Sequence, residues 1–283
     1  MTTKTIAITG ATGQFGAIAL DLLKAKQANV LALVRSPEKI LGVEARKFDY
    51  SKTEGQVEAL QGVDTLILVS SSEVGQRALQ HNNVIESAKK AGVKHIIYTS
   101  LLGATNDNTV KSLAGEHVET EAALKASGIT YTILRNGWYT ENYTASIPAA
   151  LANNAFYGSA KNGKISSVLR AELAEAAVNV ALSEGHENQT YELAGSTSWT
   201  LADLAAEISK QTGKDIPYVD IPAADYASAL VQAGLDEGFA GLIAQWDVDA
   251  SNGALFSEDK ILEKLLGRPT AGLDVAVKKA LAH

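Results

Sequence analysis

Apolar positions in the first half of the chain fall into two alternating patterns. Lys4–Thr9 (KTIAIT) is short and β-branched, and Ala17–Lys26 then spaces its apolar residues as one face of a helix does. Asn29–Val34 is apolar again and stops at Arg35-Ser36-Pro37. Ala45–Phe48 reads as a weak strand and Thr65–Val69 (TLILV) as a strong one. Gln80–Ala91 is helical and closes at Gly92; Lys94–Tyr98 is a strand; Glu116–Ala126 is a helix ending at Gly128; Thr130–Leu134 is a strand. Strands that alternate with helices, and that are apolar on both faces, predict βαβ units and a doubly wound parallel sheet covered by helices on each side. Beyond Asn136 the rhythm breaks into a stretch rich in Asn, Tyr and Gly. Helices are expected over Arg170–Leu182, Leu201–Thr212, Ala223–Gly234, Ser257–Leu266 and Leu273–Ala282, with a strand at Thr190–Ala194. The pattern predicts an α/β domain over residues 1–150 and a smaller, mostly helical region over 151–283, with 190–195 returning to the main sheet.

Composition narrows the classes. With 283 residues, 46% of them hydrophobic and 20% charged, the chain has the make-up of a folded globular protein rather than a disordered one. It has no Cys, which excludes disulfides, thiolate catalysis and Cys-based metal sites. Lys and Arg number 25 against 32 Asp and Glu, a formal net charge of −7 that argues against nucleic acid and anionic membranes as partners. No apolar run approaches the ~20 residues of a membrane span. The N-terminus enters a strand-like segment without a signal-peptide core. A cytoplasmic location is expected, with a small molecule as partner and a homodimer left open.

Thr9-Gly10-Ala11-Thr12-Gly13-Gln14-Phe15-Gly16 follows the first strand and opens the first helix. Its G-x-x-G-x-x-G spacing at the start of a βαβ unit has the logic of a dinucleotide loop. Gly10 turns the chain, Gly13 lets the backbone approach a pyrophosphate, and Gly16 lets the helix pack on the strand. The helix start adds free N–H groups and a positive dipole end. No Gly-Lys-Ser/Thr follows, which argues against a mononucleotide loop. Dinucleotide sites that prefer the unphosphorylated ribose carry an acid about 20 residues on. Here Arg35 stands there, and Val30–Pro37 contains no acid, so NADP(H) is the expected cofactor, with Arg35 on the 2′-phosphate. Asp49 and Tyr50 follow the third strand and are candidates to flank the adenine.

Carbonyl reductases need a proton donor near the nicotinamide. Short-chain dehydrogenases meet this with Tyr and Lys four apart on a helix. Only Tyr157 with Lys161 has that spacing, in a loop-like stretch, and the match is read as coincidence. Ser70-Ser71-Ser72 and Thr99-Ser100 end two strands where open α/β sheets bind ligands, and are expected to meet the nicotinamide ribose or amide. His117 opens a helix as the candidate proton-bearing group. No His/Asp/Glu cluster has metal-ligand spacing, so no metal is expected.

The glycine loop, Leu68-Val69-Ser70-Ser71-Ser72-Glu73-Val74-Gly75-Gln76-Arg77, Tyr98-Thr99-Ser100-Leu101 and Leu134-Arg135-Asn136-Gly137-Trp138-Tyr139-Thr140-Glu141-Asn142-Tyr143 together closely resemble the bacterial NADPH-dependent quinone oxidoreductases of type 2, an NmrA-like branch of the atypical short-chain dehydrogenases. Tyr191–Gly195 and Trp199–Leu201 extend the likeness along the chain. The resemblance implies flavin-free, two-electron reduction of a quinone by NADPH. It places Asn136, Gly137 and Trp138 with the cofactor, assigns cleft-lining roles to Arg135, Gly137, Glu141 and Asn142, and leaves His117, Tyr139 and Asn142 as donors to the developing oxyanion. Wider relatives often carry Lys where His117 falls, so a Lys relay is not expected here. The absent Tyr/Lys pair suits a quinone, whose reduced oxygens take protons from water. It also suits a second reading, an NADP(H)-binding regulator with little or no catalysis.

Overall fold

The structure is a computed structural model and describes residues 4–282. The chain forms two compact units, each assembled from separate stretches. The first takes the chain up to Ala104, Leu113–Asn136 and Arg170–Leu193; the second takes Thr105–Ser112, Gly137–Leu169 and the chain from Ala194 onward. A single boundary at residue 150 therefore does not describe this chain. The three excursions out of the first unit begin just after strands that end at Leu101, Asn136 and Leu193. In α/β proteins the connections that follow the carboxyl ends of strands are where ligand sites are built.

The first unit opens with β1 (Ile6–Thr9), α1 (Gln14–Ala25), β2 (Val30–Val34), β3 (Glu44–Lys47), α2 (Gln56–Ala59) and β4 (Thr65–Leu68). It continues through α3 (Arg77–Ala91), β5 (His95–Leu101), α4 (Lys111–Ala126) and β6 (Thr130–Asn136). After α5 (Glu141–Thr144), α6 (Ile147–Asn153) and β7 (Phe156–Gly158), the chain returns through α7 (Arg170–Leu182) and β8 (Gln189–Leu193). The sheet order is β3-β2-β1-β4-β5-β6-β8, all neighbours parallel. β1, β2, β4 and β5 are buried at every position, as strands covered on both faces must be. The two edge strands are less buried, and the charged residues of β3 (Glu44, Arg46, Lys47) discourage further pairing. The order reverses between β1 and β4. That switch point is where the loops of two adjacent strands part, and it is the usual ligand crevice of such sheets.

The second unit contains α5, α6 and β7, then α8 (Leu201–Thr212), β9 (Tyr218–Asp220), α9 (Ala223–Gln232), α10 (Glu237–Ser251), α11 (Ile261–Leu266) and α12 (Leu273–Leu281). β7 and β9 form a parallel pair of three residues each, too short to leave a period in the sequence. Tyr157 lies on β7, 41% exposed, and Lys161 sits at φ 50° beyond it, so these two residues share no helix. α10 has no counterpart among the expected elements. Gly238 and Gly241 weaken its pattern, and the helix is set by the Asp236 side chain accepting from Phe239 N (3.1 Å) and by tertiary packing. The helix expected over Ser257–Leu266 is shortened to α11. No described helix is long and apolar enough to cross a membrane.

Candidate functional site

The glycine loop has the geometry its spacing predicts. Gly10 sits at φ +61°, a left-handed turn. Gly13 N donates to Gly10 O (2.8 Å), closing that turn onto α1. A Cβ on Gly16 would lie 2.1 Å from Gly10 O and 3.0 Å from Ala11 Cα, and one on Gly13 would lie 3.2 Å from Gly10 O. These are backbone atoms that cannot swing aside, so the loop admits only glycine at Gly16. α1 begins with no side-chain cap and no acid in its first turn. Its first N–H groups therefore remain available to an anion. Thr12, Gly13 and Gln14 are exposed, while Ala11 and Phe15 anchor the loop in the core.

Parallel register puts Thr9 beside Leu33, so Arg35 emerges next to the glycine loop, and it is exposed. Asp49 accepts from Ser51 N (3.0 Å) and Ser51 Oγ (2.7 Å) and so closes a local turn. Those bonds, led by the Ser51 hydroxyl, hold its pKa below the ordinary value, with Lys52 and Arg35 adding to the effect. Tyr50 does not offer its hydroxyl to a ligand. Its OH is bonded to Thr9 Oγ1 (2.6 Å) and to the Val69 carbonyl, tying the end of β3 to β1 and β4.

The serine loop after β4 sits beside the glycine loop. Gly10 faces Val69, whose Cβ would be 3.8 Å from a Cβ on Gly10. Ser70 N donates to Thr99 Oγ1 (2.8 Å), and Ser71 Oγ donates to Gln80 Oε1 (2.5 Å). Ser71 N donates to His81 Nε2 (2.9 Å) and Ser71 O accepts from Arg77 Nε (2.7 Å). Ser71 and Thr99 are thus buried supports, and of the three serines Ser72 is the exposed one.

His117 requires a correction. It is 5% exposed, with both ring nitrogens engaged: Nε2 faces Arg77 Nη1 (3.3 Å) and Nδ1 faces the Tyr98 hydroxyl (2.7 Å). A guanidinium can only donate, so Nε2 is the acceptor and Nδ1 carries the ring's one proton. Burial, with Arg77 adding to it, pulls the His117 pKa down to about 3. His81 is held the same way, down to about 3, its Nδ1 facing Thr120 Oγ1 (3.0 Å). Neither ring carries a second proton at neutral pH, and the one N–H of each is already bonded within the protein. Expected as a donor to a developing oxyanion, His117 has both ring nitrogens bonded to Arg77 and Tyr98 instead.

Further along the edge, Ser100 Oγ donates to Glu121 Oε1 (2.6 Å) and is buried. Arg135, implied as cleft-lining, is instead the centre of an ion triad. It reaches Glu121 through Nε (2.9 Å) and Nη2 (2.7 Å) and Glu192 through Nη1 (2.8 Å). These bonds, Glu121 first, raise its pKa further above an already high value. Asn136 ends β6 and is 4% exposed, yet neither its Oδ1 nor its Nδ2 has a hydrogen-bond partner. A buried primary amide left unpaired costs about 1–3 kcal/mol, and such groups call for an explanation. A ligand at the carboxyl edge supplies one.

The remaining candidates lie in the second unit. Gly137 and Trp138 are buried, and the Trp138 ring packs edge-on against Trp246 at 5.2 Å, so its contact is with its own unit. Tyr139 is half-buried and Asn142 is exposed at the start of α5. Sequence reasoning missed Arg77, His81, Glu116 and Glu121, because each acts on a partner many residues away and leaves no local spacing.

The residues present fit a dinucleotide: a glycine-only cradle, an uncapped helix start, a cation at the end of β2 and an orphan amide at the end of β6. Fold and site together define a Rossmann-type dinucleotide-binding protein. A family model described as NAD(P)H-binding matches residues 10–184. Quinone oxidoreductase 2 of Escherichia coli is 52% identical over 279 residues, 96% of this chain and 97% of that protein. With these matches, the chain belongs to the NAD(P)H-binding family and, within it, to the type 2 quinone oxidoreductases. The crystal structure of the Escherichia coli NADPH-dependent quinone oxidoreductase complexed with NADPH superimposes with a TM-score of 0.93 at 50% identity, covering 98% of this chain and 99% of that one. A triphenylmethane reductase from Citrobacter gives a TM-score of 0.94 at 35% identity, covering 99% of this chain and 100% of that one.

Proposed function

We propose that the chain reduces quinones with NADPH by direct two-electron hydride transfer, without flavin: NADPH, a proton and a quinone give NADP⁺ and a hydroquinone. The observation that carries this reading is a dinucleotide cradle beside which the His81 and His117 rings are bonded at both nitrogens within the protein. A ketone reductase needs a group that donates a proton in step with the hydride. His117 cannot, and Tyr157 and Lys161 share no helix. A quinone needs no such group, because its reduced oxygens are protonated by water. The names and NADPH complex of the Escherichia coli relatives support the same reading.

Bound at the carboxyl edge, NADPH supplies the hydride; the rest falls to the protein. The α1 N-terminus and the Gly10–Gly16 backbone hold the pyrophosphate, and Arg35 pairs with the 2′-phosphate. Ser70 and Ser72 meet the nicotinamide ribose. The Asn136 amide, with both a donor and an acceptor, matches the nicotinamide carboxamide. Tyr139 and Asn142 of the second unit are the candidate donors to a developing oxyanion.

The test is NADPH oxidation by the purified protein, followed by its absorbance, with a simple benzoquinone and a naphthoquinone and with NADH in parallel. The expected result is quinone-dependent turnover favouring NADPH, one hydroquinone per NADPH, no dioxygen uptake and no flavin absorption. Arg35→Ala should lower the NADPH-to-NADH ratio of kcat/KM at least about tenfold, since a charge-assisted hydrogen bond is worth about 1.5–3 kcal/mol. NADPH binding without turnover on either quinone would move the reading to a regulator.

A further inference from the structure

The loop Ser70–Gln76 has few bonds of its own and is held by two helices. α3 begins without a side-chain cap, and Glu116 of α4 supplies one from 39 residues away. Glu116 Oε1 accepts from Arg77 N (2.8 Å) and its Oε2 accepts from Gly75 N (3.0 Å). A carboxylate placed so satisfies two orphan donors and complements the helix dipole. Arg77 then reaches back into the loop, donating from Nε to Ser71 O, and leans on His117, which leans on Tyr98 of β5. His81 and Gln80 of α3 fix Ser71 from a second side. The network carries no mobile proton at neutral pH, so its product is geometry rather than chemistry.

The location of that geometry matters. In the order β2-β1-β4-β5-β6, Arg35 leaves β2 on one side of the glycine loop, and the serine loop and Asn136 leave β4 and β6 on the other. A dinucleotide held on Gly10–Gly16 therefore has its adenosine end on the Arg35 side and its nicotinamide end on the serine-loop side. We infer that Glu116 and Arg77 are positioning residues that hold the Ser70–Gln76 loop in the shape the nicotinamide half of the dinucleotide binds, while the adenosine half is held independently by Gly10–Gly16 and Arg35. The inference rests on the NADPH reading above.

Calorimetric titration separates the two halves. NADPH occupies both, whereas 2′,5′-ADP carries only the adenosine side. Glu116→Ala should raise the Kd for NADPH about tenfold, the factor set by about 1.4 kcal/mol. Glu116→Gln, which keeps one acceptor and loses the other, should raise it about threefold. Arg77→Lys, which cannot reproduce the bond to Ser71 O and the contact with His117 together, should show the same selectivity. In all three variants the Kd for 2′,5′-ADP should stay within about twofold of the parent value. Amide exchange at Gly75 and Arg77 should quicken in Glu116→Ala while that of β1 and α1 stays unchanged. Parallel weakening of both ligands, or no change in either, overturns the inference, because a general loss of structure has no reason to spare the adenosine half. If the parent protein binds neither ligand, the NADPH reading itself falls and this inference falls with it.

Discussion

Asn136 shows how one residue can mark a binding edge. The residue ends β6 between β5 and β8, its backbone carbonyl accepts from Leu102 N (2.9 Å), and neither polar atom of its side chain has a hydrogen-bond partner. Replacing it with an apolar residue of similar size removes a desolvation cost along with a ligand contact. Asn136→Leu should therefore raise the stability of the ligand-free protein by about 1 kcal/mol or more while weakening NADPH binding. Urea denaturation and calorimetry read the two effects, and a variant that loses stability sinks this account of the amide. The glycine loop, by contrast, was legible residue by residue, because its constraints are local: Gly16 is fixed by an atom six residues earlier in the same turn. His117 was not. Its residue type allowed a proton donor, and only the neighbours brought by α3 and β5 show that its proton is already committed.

At the level of elements, strands and helices of the sheet were readable because parallel strands buried on both faces give continuous apolar runs. The ties between elements were not. Arg135 binds Glu121 on α4 and Glu192 on β8, and Glu192 in turn accepts from Gly103 N (2.8 Å) after β5. This triad joins the two outermost strands of that side to their covering helix. Glu121 is 3% exposed at its side chain and Arg135 is 10%, so removing the cation leaves carboxylates in a poorly solvated place. Arg135→Met should cost about 3–5 kcal/mol in urea denaturation, and adding Glu121→Gln to it should recover part of that loss. An unchanged midpoint would show that the triad is solvated enough to be dispensable.

For the whole molecule, pH separates contributions of opposite sign. Burial holds His81, His95 and His117 at about 3, about 4 and about 3, well below the ordinary 6.5. The unfolded chain takes up these protons first, so the stability they represent is present above pH 6.5 and is lost as pH falls. Asp247 is the reverse: burial, with Asp220 adding to it, pushes its pKa up to about 6 from 3.8. Its contribution is present at low pH and is lost as pH rises through 6. Near pH 5 these four groups leave the unfolded chain about two protons ahead, so stability should fall by about 3 kcal/mol per unit of pH on acidification. Asp247→Asn should steepen that slope to about 4 kcal/mol per unit and stabilise the protein above pH 6. Urea denaturation at successive pH values checks both, and a slope unaffected by Asp247→Asn removes Asp247 from the account. Across the sheet, β2 and β6 lie four strand spacings apart, roughly 19 Å at about 4.8 Å each, a span suited to a long ligand with two distinct ends. The sequence by itself determined the parallel sheet, the glycine loop and the cation at the end of β2, because apolar periodicity, backbone sterics and helix starts act over a few residues. Only the tertiary structure decided which polar side chains are free to meet a ligand and which are spent on one another. A hydrogen bond such as that from Arg77 N to Glu116 depends on where two helices pack, and no spacing along the chain records that.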